Sequence, residues 1–368
     1  MNVEPFSFLA ELGEWSSFKP GLSRVRHVLT HLGSPHERFP HYLVGGTNGK
    51  GTVSYNLARL LPGRMGLFIS PHLIDIRERI TVNGRWCSDA QWRETFFRVR
   101  ARVPDAEMSY FEWLLVLACM MFAENKVDAA VFEVGLGGRL DATNVLNPAC
   151  SIVTNVSLDH CELLGPDIET IALEKIEIAR AGKPFLCPQT ILQYSSISKR
   201  LKEIQCEIHP FSGGEDYESN RDILQAAAKL LPLAPLNGGL CHLPGRRERC
   251  DVGRGIILDG AHNPAAWRDL AAWIGPTEQP YHLLLALSGK RNPEVLLDIM
   301  AGIHGMPHIY GGNHEKFIPR QCWPGHIPLV REEDFPQLLE RPLLVCGSLY
   351  LVGLFKQWLR TAEFVCNS

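Results

Sequence analysis

The sequence lacks features that would mark it as a membrane or nucleic-acid-binding protein. No apolar run approaches the roughly 20 residues that a membrane span requires. Its 368 residues carry 37 Lys and Arg against 40 Asp and Glu, a formal net charge of −3. Without a basic surplus, we expect neither nucleic acid nor a membrane surface as a partner. The stretch from Met1 to Trp15 has three glutamates and no Lys or Arg, which is unlike a targeting peptide.

The sequence also lacks paired cysteines. Its 11 cysteines are scattered from Cys87 to Cys366, and no two have the C-x-x-C spacing. A disulfide framework or a zinc knuckle would need such a spacing. Most of the cysteines have apolar neighbours, where cysteine behaves as a small hydrophobic residue. We therefore expect a reduced, cytoplasmic protein.

Strands and helices alternate along the chain, which predicts an α/β fold. At about 150 residues per domain, the length favours two domains. A Pro- and Gly-rich stretch, Pro232 to Pro244, is the best candidate for a linker. We predict an N-terminal P-loop ATPase domain with a parallel sheet over residues 1–243. A smaller, Rossmann-like α/β domain follows over residues 244–368.

A glycine-rich loop, Gly45-Gly46-Thr47-Asn48-Gly49-Lys50-Gly51-Thr52, lies between a predicted strand, His41–Gly45, and a predicted helix. Glycines allow successive backbone N–H groups and the helix N-terminus to face a phosphate. Lys50 adds a positive charge, and the Thr52 hydroxyl suits a magnesium ion. The alternative is a strand-to-helix turn with a surface lysine. The strand–loop–helix context favours phosphate binding.

Two further candidates follow predicted strands. Glu133 ends an apolar strand just before a run of glycines, at the edge of a parallel sheet where ligands gather. A carboxylate there suits Mg²⁺, although pairing with Arg139 is the structural alternative. His160 follows another such strand, and a lone histidine is more often structural than a ligand.

Lys175 lies on a predicted helix, Asp167–Ala181, with Gly182 as its C-cap. It is four residues after Ile171 and three after Ala172, so it belongs to the apolar face. A lysine that points inward must be paired, neutralised or modified, because an isolated buried ammonium is costly. The alternative is that the aliphatic part of Lys175 is buried and its amine reaches the protein surface.

These motifs, taken in order, resemble the Mur ligase superfamily and in particular the folylpolyglutamate and dihydrofolate synthases. The resemblance covers most of the chain. Besides the loop, it is carried by Ser70-Pro71-His72-Leu73, Glu78-Arg79-Ile80, Phe132 to Asn144, Asp159-His160, Glu174-Lys175, Leu243-Pro244-Gly245-Arg246, Leu258 to Pro264 and Gly347 to Gly353.

The resemblance implies roles for individual residues. The catalytic candidates are Lys50, Glu133, His160 and Lys175. The expected nucleotide-binding residues are Thr47, Asn48, Gly49, Lys50, Gly51, Thr52, Asn220, Arg246, Asp259 and His262. The expected ligands of two Mg²⁺ ions are Thr52, Ser70, Glu133, His160 and Lys175. The expected substrate contacts are Ser70, His72, Arg79 and Asp141. In the family that the chain resembles, the lysine at position 175 is carbamylated and is thereby converted into an anionic ligand.

The implied reaction is ATP-dependent addition of L-glutamate to dihydropteroate or a reduced folate, through an acyl phosphate. Arg246, Asp259 and His262 would close over ATP from the second domain, and we expect a monomer. From spacing alone, Asp259 to Pro264 also fits a helix cap. The family's usual His-Gln pair is absent, because Asp216 and Tyr217 stand before Asn220. A Mur-type ligase acting on a peptidoglycan precursor and a P-loop switch protein are the competing interpretations.

Overall fold

The computed structural model describes residues 4–13, 21–104, 107–214, 216–236, 238–289 and 291–364. The chain divides into two compact units. The first unit comprises residues 1–72 and 76–241. The second unit comprises residues 242–368 together with the short segment Leu73–Asp75. Both units have the α/β architecture that the alternating pattern predicts.

The first unit contains an eight-stranded sheet with helices on both faces. The strand order is β4-β3-β2-β5-β1-β6-β7-β8, and β2, β5, β1, β6, β7 and β8 are parallel. Its elements are α1 (Pro5–Leu12), α2 (Ser23–His31), β1 (His41–Gly45), α3 (Lys50–Leu60), β2 (Met65–Phe68), β3 (Ile80–Val82), β4 (Arg85–Trp86), α4 (Asp89–Arg102), α5 (Tyr110–Glu124), β5 (Ala129–Glu133), β6 (Cys150–Val153), α6 (Cys161–Leu164), α7 (Ile168–Ile176), β7 (Pro184–Pro188), α8 (Ser195–Ile204), β8 (Glu207–Phe211) and α9 (Ser219–Ala227).

The continuous apolar strands of this unit are buried on both faces. On β1, Leu43 belongs to the cluster that packs against α5. Its neighbour Val44 belongs to a second cluster with Val53 and Leu57 of α3. Successive strand residues point to opposite faces, so a strand covered on both sides has no polar alternation. This explains why HYLVG is an uninterrupted apolar run apart from its first residue.

The second unit has a six-stranded sheet in the order β13-β12-β11-β14-β10-β9, in which only the pairing of β9 is antiparallel. It also has a core on each face of the sheet, one around α13 and one around α10. Its elements are β9 (Glu248–Cys250), β10 (Ile256–Leu258), α10 (Pro264–Ile274), β11 (Tyr281–Leu285), α11 (Pro293–Met300), β12 (Gly305–Tyr310), β13 (Leu329–Val330), α12 (Phe335–Leu338), β14 (Leu343–Cys346) and α13 (Leu349–Thr361).

One predicted helix is shorter than expected. The pattern extended it to Ala181, but α7 ends at Ile176 with Glu177 as its C-cap. The Ser151 hydroxyl donates to the carbonyl of Ile178 at 2.7 Å, and the Arg180 guanidinium donates to the carbonyls of Glu177 and Ala179. These side chains hold the segment after α7. The Arg139 amide donates to the Glu174 carbonyl at 3.0 Å, the acceptor that the amide of residue 178 would use if the helix continued.

The cysteines agree only in part with the expectation of a reduced protein. Nine cysteines of the described residues are free, and five of them are buried. Cys250 is disulfide-bonded. Within the described residues, no helix combines the length and the apolar character needed to cross a membrane.

Candidate active site

The glycine-rich loop connects β1 to α3 and is held by residues after β6. The amide of Asn48 donates to Asn155 Oδ1 at 2.9 Å, and the Asn48 carbonyl accepts from Thr154 Oγ1 at 2.7 Å. Thr47 Oγ1 accepts from the amide of Ser157 at 3.0 Å. These bonds fix the loop from a neighbouring strand end, so its amide groups keep one arrangement.

Two glycines of the loop are required by close approach and by backbone conformation. Gly46 has φ of 137°, and a Cβ there would lie 1.9 Å from Thr154 Oγ1. Gly49 has φ of 79°, and a Cβ there would lie 2.2 Å from Asn220 Oδ1. Only glycine fits such positions without strain. The structure therefore brings Asn220, at the start of α9, against the loop.

Lys50 and Thr52 lie in the first turn of α3. The Lys50 ammonium donates to the carbonyl of Thr47 at 2.9 Å, which folds its side chain back over the loop. Thr52 is buried. A helix N-terminus with a lysine and a hydroxyl is an arrangement that binds phosphate.

Lys175 is 3% exposed, so it lies inside the protein as its place on the apolar face of α7 predicts. Its Nζ donates to the carbonyl of Gly46 at 2.8 Å, which places the amine directly beneath the loop. Burial, and then the charge of Lys50, lower the pKa of this amine to about 7. The neutral amine is therefore present in quantity near neutral pH.

Glu133 and Ser70 meet at the ends of β5 and β2. The Ser70 amide donates to Glu133 Oε2 at 2.9 Å, and Glu133 is buried. The alternative partner, Arg139, instead forms an ion pair with Glu174 at 2.9 Å. The interpretation of Glu133 as the partner of Arg139 is therefore wrong.

Of the candidate substrate residues, Arg79 and His72 contact each other, whereas Asp141 binds backbone amides. Arg79 is fully buried, and its Nε donates to His72 Nδ1 at 2.8 Å. Asp141 is also buried, and its oxygens accept from Leu136 N at 2.9 Å and from Thr143 N at 3.0 Å. Burial raises the pKa of the Asp141 carboxyl. Asp141 thus stabilises the conformation of the segment that follows β5.

His160 precedes α6 and has a left-handed backbone, with φ of 50°. Its amide donates to Asp159 Oδ1 at 3.0 Å, and its ring nitrogens lie 4.0 Å from Asp159 and 3.9 Å from Glu162. The side chain is 26% exposed. The imidazole is therefore partly exposed and lies near two carboxylates.

The candidate residues of the second unit converge on Gly260. Asp259 accepts from the amides of Arg247 and Ala261 at 2.8 and 2.7 Å. Burial raises the pKa of its carboxyl. His262 Nδ1 lies 2.9 Å from the Gly260 carbonyl, and a Cβ on Gly260 would lie 2.3 Å from Arg246 Nη1. Asp259 thus shapes the turn beside which Arg246 and His262 lie.

The donor set in the first unit suits a hard cation. Among the described residues, no three His, Cys, Asp or Glu side chains lie close enough together to hold a metal ion. The Ser70 amide nevertheless binds the buried Glu133 carboxylate, and Thr52 adds a hydroxyl in the first turn of α3. Oxygen donors of this kind are those that Mg²⁺ prefers.

The sequence interpretation missed the residues that hold the loop, which are Thr154, Asn155 and Ser157. They lie more than 100 positions from the residues they bind. A signal was present, since all three follow the apolar strand β6, and side chains at the carboxyl ends of parallel strands gather at one edge.

Comparison with known proteins identifies the family. Residues 44–229 match the Mur ligase middle domain. The chain is 30% identical to the dihydrofolate synthetase of Saccharomyces cerevisiae, over 90% of this chain and 96% of that protein. It is 38% identical to the dihydrofolate synthase/folylpolyglutamate synthase of Bacillus subtilis, over 69% of this chain and 71% of that protein.

Other relatives are longer than this chain. It is 32% identical to a probable bifunctional folylpolyglutamate synthase/dihydropteroate synthase of Halobacterium salinarum, over 78% of this chain. The chain spans only 41% of that relative and 38% of a similar protein from Haloferax volcanii.

A solved structure resembles the whole fold. It is a bifunctional folylpolyglutamate synthase/dihydrofolate synthase with Mn, AMPPNP and L-glutamate bound, 25% identical with a TM-score of 0.85 over 98% of each chain. The likeness extends through both units, and the sequence matches cover most of the motifs described above. The chain belongs to the folylpolyglutamate synthase and dihydrofolate synthase family of the Mur ligase superfamily.

Proposed function

We propose that this chain is an ATP-dependent ligase that joins L-glutamate to the carboxylate of dihydropteroate or of a reduced folate. The observation that carries the proposal is the contact between the loop and Lys175, because a phosphate-binding loop with a buried, reactive amine beneath it suits phosphoryl transfer. The relatives named dihydrofolate synthase support the substrate class. The neighbour with AMPPNP and L-glutamate bound supports the co-substrates.

The reaction has two steps. A carboxylate oxygen of the pteroate substrate attacks the γ-phosphorus of ATP, the bond to the bridging oxygen breaks, and ADP leaves. The amine of glutamate then attacks the acyl carbon of the resulting acyl phosphate. Inorganic phosphate leaves, and the amine gives up a proton as the amide forms.

The chain's own groups bind and orient the reactants. The loop amides and the Lys50 ammonium offset negative charge on the phosphates, which lowers the repulsion met by an incoming carboxylate. Asn220 and, in the second unit, Arg246, Asp259 and His262 complete the proposed nucleotide contacts. The Arg246 guanidinium suits a polyphosphate because its rigid donor fork matches pairs of oxygens. Ser70, His72, Arg79 and Asp141 are the proposed substrate residues.

A divalent metal fits the oxygen donors described above. We assign Thr52, Ser70, Glu133, His160 and Lys175 as the residues that would hold two Mg²⁺ ions. When bound, Mg²⁺ would neutralise phosphate charge. The solved relative with Mn bound supports a divalent metal in this family.

Lys175 fits this role only after modification. A buried ammonium would repel a cation, since at about 4 Å and an effective dielectric near 20 each like-charge pair costs about 4 kcal/mol. Reaction of the neutral amine with CO₂ gives a carbamate and releases a proton, so that the side chain ends in two anionic oxygens. The burial of Lys175 and its place beneath the loop support this modification.

An assay with two acceptors tests the proposal. The enzyme is given ATP, Mg²⁺ and labelled L-glutamate, with either dihydropteroate or tetrahydrofolate. We expect glutamate-dependent release of phosphate and label in the folate product with at least one acceptor, and the pattern shows whether the first or later glutamates are added. Turnover only with a UDP-linked peptidoglycan precursor would favour the competing ligase. Nucleotide hydrolysis that needs neither glutamate nor a folate would favour a switch protein.

We also propose a cytoplasmic location and a monomeric state. Nine of the ten described cysteines are free, and only Cys250 of these ten is disulfide-bonded, which supports a reducing compartment. Light scattering coupled to size exclusion measures the mass directly against the 41.2 kDa of the chain. A mass of twice that value would contradict the monomer.

A further inference from the structure

We propose that the first unit also binds a small, multivalent oxyanion in a cavity lined by three arginines. The cavity has a volume of about 180 Å³ and lies between the turn after α2 and the helices α4 and α5. Its charged lining consists of Arg38, Arg98, Arg102 and Glu124. This proposal does not rest on the proposed function.

The lining charges are not balanced. Arg98 forms an ion pair with Glu124 at 2.8 Å, and Glu124 is the only acidic residue among those that line the cavity. The side chains of Arg38 and Arg102 are exposed, and within the described residues they make no hydrogen bond or ion pair. Two arginines of the lining therefore have no counter-charge among the described residues. An anion bound there would satisfy both.

The topology separates this cavity from the glycine-rich loop. Arg38 lies just before β1, and Glu124 ends α5, which leads into β5. β1 and β5 are parallel, so both of these residues lie near the amino ends of their strands. The glycine-rich loop follows the carboxyl end of β1. The length of this five-residue strand, at about 3.3 Å per residue, therefore separates the loop from Arg38. The cavity therefore lies at the amino ends of β1 and β5, and the glycine-rich loop lies at the carboxyl end of β1.

The size and chemistry of the cavity define the ligand class. Pockets for drug-sized ligands measure about 300–1,000 Å³, so this cavity suits a smaller molecule. Guanidinium forks bind carboxylate and phosphate oxygens in pairs, and two of them favour a charge of −2 or more. Leu32 and Met120 supply an apolar wall of the cavity. Phosphate and a short polycarboxylate share the required chemistry.

Hydrogen–deuterium exchange with local resolution tests the site. The full chain carrying Lys50→Ala, which weakens phosphate binding at the loop, is titrated with inorganic phosphate or with citrate. Sodium chloride at equal ionic strength serves as the reference. We expect one of these anions to slow exchange in residues 32–38 and 98–104. The anion that binds more tightly distinguishes phosphate from polycarboxylate.

Variants assign the effect to the arginines. In Arg38→Gln/Arg102→Gln we expect the dissociation constant of the anion to rise about tenfold or more, since two charge-assisted contacts are lost. Arg360→Gln is the matched control, because Arg360 is also an exposed arginine in the last turn of a helix, in the second unit. Ala123→Glu, which adds a carboxylate to the cavity and keeps every arginine, should weaken binding as well.

Several results would overturn the site. These are no local protection at millimolar anion, equal protection by sodium chloride, or protection that persists in both cavity variants. The melting temperature of each variant, measured in parallel, shows whether it is folded. If the double variant fails to fold, Ala123→Glu decides the question alone.

Discussion

At the scale of single residues, we expect Lys50 to be needed for activity but not for stability. Its ammonium donates to the Thr47 carbonyl, a contact within the loop itself, so its removal costs little packing. We expect Lys50→Ala to lose ATP-dependent turnover and to melt within a few degrees of the wild type. Turnover by phosphate release and melting by circular dichroism measure the two effects. Lys202→Ala, at an exposed lysine of α8, is the control and should keep full activity. Normal turnover in Lys50→Ala would remove the loop from the mechanism.

Lys175 gives a second prediction at this scale. If its carbamate is an anionic ligand, Lys175→Ala should be inactive, and acetate should restore part of the activity by occupying the vacated position. Lys175→Arg should stay inactive because it keeps the positive charge. Both variants are compared with the wild type in the glutamate-ligation assay, with melting as the check on folding. A fully active Lys175→Arg enzyme is incompatible with this role.

His41 makes stability depend on pH. It is buried on β1 against the rings of Phe39 and Phe132. Burial lowers its pKa from 6.5 to about 4. Between these values the unfolded chain binds a proton that the folded chain does not, so the free energy of unfolding decreases as pH falls from 6.5 to 4. A shift of this size corresponds to about 3 kcal/mol.

Urea unfolding at several pH values isolates this contribution. The difference between wild type and His41→Gln should be largest above pH 6.5 and shrink by about 3 kcal/mol towards pH 4. Histidines that do not interact with His41 titrate alike in both proteins and cancel, whereas the charge of His36 acts on His41. A difference that is constant with pH would show that His41 does not contribute.

At the scale of elements, the end of α7 shows how side chains override a helical pattern. Arg180 donates to the carbonyls of Glu177, Ala179, Asn144 and Leu146, at 2.8 to 3.1 Å. One side chain therefore joins the segment after α7 to the loop before β6. These contacts hold the segment after α7 in a path that is not helical, although the apolar pattern favoured a helix there.

We expect Arg180→Met to lower the free energy of unfolding by about 2–4 kcal/mol, because buried carbonyls lose charged donors. Denaturant unfolding monitored by fluorescence measures the change. Arg254→Met, at an exposed position of the second unit, is the control and should change stability by less than about 0.5 kcal/mol. Equal stability of the two variants would mean that water replaces the guanidinium without cost.

At the scale of the whole molecule, each unit has its own hydrophobic cores. A unit with its own core can unfold separately, so we expect more than one unfolding transition. We expect calorimetry to show a van't Hoff enthalpy below the calorimetric enthalpy. Arg180→Met should lower only the transition of the first unit. A single transition with equal enthalpies would show that the units unfold together.

Much of the fold could be predicted because the pattern is local. The β1 strand has the predicted bounds, and α7 begins where predicted, since Asp167 is its N-cap. The hairpin of β3 and β4 and the helix α4 were missed, because α4 carries several arginines and only a narrow apolar stripe. Strands of two or three residues, such as β4 and β3, have too few positions to show a period.

The sequence by itself determined the family, the loop between β1 and α3, and the inward face of α7 that carries Lys175. Each of these depends on residues close together in the chain, whose spacing sets which side they face. Only the tertiary structure decided which groups meet: Asn155 on Asn48, Asn220 against Gly49, Glu133 on Ser70 rather than Arg139, and the arginines around the cavity. Such contacts join distant parts of the chain, and they depend on strand order and on the close approach of backbone segments, which no local spacing encodes.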